Sequence, residues 1–160
     1  MPTLPQLIEE DVQQLERTLA ELLLSSEATT VLLIDKGGFL VHHVGDADQF
    51  DVTTIAALAA GAYMANQTIA NLVHEDNFDS IYQQGGKFSM FVMNVDQYSL
   101  LVLIFRAAIS VGALKYYATR ATARVAAQFR QALDRDPAGG LDLSALNLAD
   151  TIELFRKKPA

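Results

Sequence analysis

The chain has 160 residues, 51% of them hydrophobic and 19% charged, which is enough for one packed domain and a tail. A formal net charge of -7 at pH 7, with a sequence pI ≈ 4.8, argues against nonspecific binding to nucleic acid or anionic lipid. The absence of cysteine removes disulfides, thiolate metal sites and cysteine nucleophiles together.

From Gln6 to Ser26, apolar residues recur at Ile8, Val12, Leu15, Leu19, Leu22 and Leu23, the spacing of an amphipathic helix. Its other side is acidic, with Glu9, Glu10, Asp11, Glu16 and Glu21. "VLLID", "DKGG" and "FLVHHV" then read as a hairpin. The loop "GDADQFD" leads to a long helix, for which Asp51 or Thr53 supplies a cap. "NFDSIYQQ", "KFSMFVMNV" and "YSLLVLIF" are three strands joined by short turns, an antiparallel meander. A last helix runs from about Ser110 to Leu133, with Leu114, Ala118, Ala121, Val125 and Phe129 inward and Lys115, Arg120, Arg124 and Arg130 outward. "DRDPAGG" ends it, because proline cannot continue the helix.

The expected architecture is α+β, a five-stranded antiparallel sheet with helices on both faces in the order α-β-β-α-β-β-β-α. Residues 1–136 form the domain, and residues 137–160 form a flexible tail. In the tail, Leu148, Ile152 and Phe155 share one side of a short helix too small to be stable undocked. The acidic first helix and the basic last helix are expected side by side on one face, leaving the other face to the middle helix. The opening segment lacks a basic stretch before an apolar run, and no purely apolar stretch reaches the ~20 residues of a membrane span. A cytoplasmic protein without membrane insertion is the expectation.

The middle helix, "DVTTIAALAAGAYMANQTIANLVHE", carries no formal charge from Thr53 through His74. On a helical wheel, Ile55, Leu58, Ala59, Ala62, Asn66, Ile69 and Val73 cluster toward the sheet. Opposite them lie Thr53, Ala57, Ala60, Met64, Thr68 and Asn71, with Gly61 at the edge. Small uncharged side chains let another backbone approach closely, so this side is expected to be a protein contact. Burial on both sides within one core is the alternative. Phe78 and Ile81, in a strand with no proline or lysine to blunt its edge, join the expected interface.

Catalytic patterns are absent. There is no GxxxxGK[ST] phosphate loop and no GxSxG elbow. His42 and His43 are adjacent in a strand and point to opposite faces, so a shared metal is not expected. Arg120 and Arg124 read as the solvated side of the last helix or as partners of the acidic first helix. No catalytic residue, cofactor or metal ligand is assigned.

The hairpin "LLIDKGGFLV", the helix "TTIAALAAGAYMANQTIANLV", the strand pair "KFSMFVMNVDQYSLLVLIF" and "SVGALKYYATRAT" resemble a Roadblock-type domain of the dynein light chain Roadblock family. They are most similar to its bacterial MglB-like members, regulators of a Ras-like cell-polarity GTPase. The resemblance covers roughly Gln6 to Leu133. It implies a longin-like fold and a homodimer in which central helices pair and third strands join edge to edge. It also implies a GTPase docked across the paired helices, and a nucleotide cycle altered without a supplied arginine finger. The tail is similar too, which implies docking of Leu148, Ile152 and Phe155 on a GTPase. A Roadblock homodimer that only scaffolds a complex is the alternative; both use one fold.

Overall fold

The computed structural model describes residues 4–46 and 48–136. The C-terminal segment with Leu148, Ile152 and Phe155 lies outside them. The elements follow the expected order: α1 (Glu9–Ser26), β1 (Thr30–Asp35), β2 (Leu40–Gly45), α2 (Val52–Leu72), β3 (Ser80–Gln83), β4 (Phe88–Asn94), β5 (Ser99–Arg106) and α3 (Val111–Arg135).

The strands form one antiparallel sheet in the order β2-β1-β5-β4-β3. β1 and β5, the most continuously apolar strands, occupy the interior, where side chains on both faces are buried. The edges belong to β2 and β3. Along β1–β2 the register slips: Leu33 pairs with His42 and Ile34 with Leu40, so Val41 is the extra, unpaired residue of a bulge, its side chain buried in the core. The β1–β2 turn requires Gly38, which has φ 97°. A Cβ there would lie 3.1 Å from the Ala57 Cα, so the missing side chain also lets the turn sit against α2.

On one face α1 and α3 lie side by side. Leu15, Leu19 and Leu22 meet Leu114, Ala118, Val125 and Phe129 over Val31, Leu33, Leu101, Leu103 and Phe105. The expected charge complementarity is present: Arg124 pairs with Glu21. That pair is half exposed and contributes no more than about 1 kcal/mol.

Asp11 departs from its expected place on the solvated side, being only 2% exposed. Its carboxylate accepts from the Ile8 N–H (2.8 Å), from Gln128 Nε2 (2.7 Å) and from both terminal nitrogens of Arg135 (2.7–2.9 Å). An acid three residues into a helix faces its own N-terminal amides, and here the same carboxylate also ties the start of α1 to the end of α3.

On the other face α2 works alone. Its inward stripe is Ala56, Ala59, Ala60 and Tyr63, packed on Leu32, Ile34, Val92, Leu100 and Val102. The expected placement was therefore rotated. Ala60 is 3% exposed and faces the sheet, while Leu58, Ile69 and Val73 face outward. Size explains the difference: alanines let the helix axis approach the sheet, and the larger aliphatic residues are left on the outside.

Two outcomes follow from this packing. Arg135→Ala, which strands the Asp11 carboxylate, should lower unfolding free energy by about 1–3 kcal/mol in chemical denaturation. A variant as stable as the parent would show that the pair contributes nothing. Ala60→Arg should cost at least about 3 kcal/mol and disrupt the fold, since it drives a charge against the sheet. A folded Ala60→Arg chain, judged by circular dichroism, would contradict the inward placement.

Candidate interaction surface

The candidate site is the outward side of α2 together with the β3 edge. Asp51 caps the helix by accepting from the Thr54 N–H (3.1 Å) and hydroxyl (2.6 Å). Those two bonds, hydroxyl first, hold its carboxyl below the usual range. From there to Leu72 the helix has no charged residue.

Two adjacent stripes run along the exposed side. Ala57, Gly61, Met64, Thr68 and Asn71, all expected at a contact, are exposed and follow the alternating four- and three-residue spacing of one helix face. A Cβ built at Gly61 meets nothing within 4 Å, so the described fold itself does not demand glycine there. Beside them lie Leu58 (68% exposed), Ala65, Ile69 and Leu72 (75% exposed). The wheel reading missed this second stripe. The signal for it was the i, i+3, i+4, i+7 spacing of Ala56, Ala59, Ala60 and Tyr63, which forces the larger residues outward.

The C-terminal half of α2 reaches the start of β3. The Tyr63 hydroxyl (3.3 Å) and Gln67 Nε2 (3.2 Å) both donate to the Phe78 carbonyl. Burial raises the Tyr63 pKa, and Asp79 adds to the effect. Lys36 lies with its ammonium 5.5 Å from the Tyr63 ring centre; burial lowers its pKa and Asp96 opposes the shift. Phe78 and Ile81 are half-buried, and β3 bonds to β4 on one side only. Asn66, half-buried on α2, donates its Nδ2 to the Ala62 carbonyl (2.8 Å).

At the other end of β3 an open cavity of about 340 Å³ lies between the start of α2 and the β3–β4 turn. Phe50, Ile55, Phe88, Met90 and Ile104 make its wall largely apolar, and Phe50 meets Phe88 edge to face (5.3 Å).

His42 and His43 point to opposite faces of β2, His42 toward α1. Burial lowers the His42 pKa, with Glu16 opposing. No group of three His, Cys, Asp or Glu residues able to hold a metal occurs among the described residues, and no described helix is long and apolar enough to cross a membrane.

Residues 14–105 match the Roadblock/LC7 domain. No curated protein sequence matches the chain. Among solved structures, the chain is similar to an MglB with a tetrameric arrangement (28% identity, TM-score 0.76, covering 83% of this chain and 99% of that one). It is similar to the gliding protein MglB of Thermus thermophilus (28% identity, TM-score 0.75, covering 82% and 98%). Myxococcus xanthus MglB is comparable (27% identity, TM-score 0.74, covering 79% and 96%). The matched domain spans more than half of the sequence: the chain belongs to the Roadblock/LC7 domain family.

Proposed function

We propose that this chain is a homodimeric regulator of a small Ras-like GTPase. The observation that carries the reading is the outward side of α2, uncharged over its full length and set beside an edge strand with free hydrogen-bonding groups. A solvated helix side carries Lys, Glu or Arg; a contact side does not. The stripe of Leu58, Ala65, Ile69 and Leu72 serves a second copy of the helix, and β3 pairs with β3 of that copy. Such a two-fold contact buries on the order of 1,600 Å². The stripe of Ala57, Gly61, Met64, Thr68 and Asn71 remains open beside it and serves the GTPase. Similarity to MglB, one structure of which is described as tetrameric, supports self-association. The resemblance to MglB-like regulators supports the GTPase, with Leu148, Ile152 and Phe155 of the tail as a second contact on it. The chain itself carries no nucleotide chemistry in this reading.

Light scattering at micromolar concentration should give about twice 17.5 kDa. A Ras-like GTPase loaded with a nonhydrolysable GTP analogue should co-elute with the dimer, and its GDP form much less. Gly61→Arg should abolish co-elution and keep the dimer, and deletion of residues 138–160 should weaken co-elution with melting temperature unchanged. Binding that ignores the nucleotide leaves the scaffold reading in place of the regulator.

A further inference from the structure

The ends of β3 carry opposite charge. Before it, the segment "HEDNFD" exposes Glu75, Asp76 and Asp79. After it, the β3–β4 turn exposes Lys87, and Arg106 at the end of β5 sits opposite Phe88. Both cations lie over the Phe88 ring, 5.7 Å and 5.3 Å from its centre. Of the nearby acids, Asp46 accepts from Gln49 and the Asp48 N–H and Asp51 from Thr54 at the start of α2, while Asp48 is exposed. The basic end of β3 also borders the apolar cavity walled by Phe50, Ile55, Phe88 and Met90.

α2 runs counter to β3. It begins near that cavity, where Ile55 forms part of the wall, and reaches the acidic end, where Tyr63 and Gln67 hold Phe78. Beyond Gln67 it carries Leu72 and Val73, 75% and 56% exposed, straight into Glu75 and Asp76. When two β3 strands pair antiparallel about a two-fold axis, residues before β3 in one copy lie across from residues after β3 in the other. That holds for any register within so short a strand. The acidic end of each copy then meets the basic end of the other, and the end of each α2 arrives at the other's cavity.

We infer that Leu72 and Val73 of each copy fill the cavity beside Phe88 of the second copy, with Glu75 and Asp76 set against Lys87 and Arg106. This rests on the homodimer reading and adds what makes the pairing self-selective. The occupant is a second copy of this chain because one sequence supplies both halves: an apolar cavity rimmed by cations, and an apolar helix end followed by acids. The contact occurs twice per dimer. Electrostatic complementarity of this kind fixes register and rejects wrong partners.

The test uses two full-length variants and measures dimer dissociation on dilution. Lys87→Glu/Arg106→Glu makes both ends acidic, and Glu75→Lys/Asp76→Lys makes both ends basic. Each alone should dimerise at least about tenfold more weakly than the parent, since like charges meet at both ends. Mixed one to one, they should form a heterodimer within about threefold of parental affinity, because every contact is again between opposite charges. Where a double variant fails to fold, the single pair Lys87→Glu and Glu75→Lys should weaken each homodimer and restore the mixture in the same direction by a smaller factor, because Arg106 and Asp76 remain. Leu72→Ser should also weaken the dimer about tenfold with the monomer's circular dichroism unchanged. Variants that each dimerise like the parent, or a mixture no tighter than its components, would overturn the charge pairing. An unaffected Leu72→Ser dimer would overturn the cavity contact. A monomeric parent chain would instead remove the homodimer reading beneath both.

Discussion

One helix cannot cover five strands. A helix with its side chains is about 10 Å across, whereas five strands at about 4.8 Å spacing span roughly twice that width. On one face of this sheet two helices share the task, and Leu15, Leu19, Leu114 and Phe129 close the layer. On the other face α2 stands alone over Leu32, Ile34 and Val102, and Met90 and Ile104 border an open cavity beside it. The uncovered width is a property of the architecture, and the site described above occupies it. An uncharged helix, a bare strand edge and a cavity are three aspects of one incomplete layer.

The sequence made the closed face legible because its helices are marked by charge. Glu16, Glu21, Arg120 and Arg124 point outward, so the inward positions follow by exclusion, and Leu114, Ala118, Val125 and Phe129 are buried where their spacing put them. α2 has no such markers. The helical wheel places Leu58, Ile69 and Val73 toward the sheet, when Ala56, Ala59, Ala60 and Tyr63 pack there instead. An inward stripe of small residues looks like a surface, and an outward stripe of large ones looks like a core. Asp11 was misread for a related reason: an acid near a helix start is ordinarily solvated, and only the distant Arg135 and Gln128 make its burial favourable. The adjacency of β1 and β5 joins residues some seventy positions apart, a pairing no local pattern specifies, although the meander order of β3, β4 and β5 was plain from the turns.

The two faces also differ in how they are held. α1 and α3 are fastened by a buried carboxylate and an ion pair as well as by packing. α2 is seated by shape, with Gly38 yielding to Ala57, and by two donors converging on the Phe78 carbonyl. The second arrangement ties the helix directly to the first residues before the edge strand.

The slip at Val41 has a bearing on the far edge of the sheet. A sheet with two equally regular edges is a template that adds copies without limit, which is the geometry of a fibre. Here the edges are unequal. β3 ends in a regular ladder against β4, while β2 is interrupted where Leu33 and Ile34 change register, and the strand is bent out of the plane a new neighbour would need. In the proposed dimer, joining through β3 would leave only the bulged strands on the outside, which would give growth a stop.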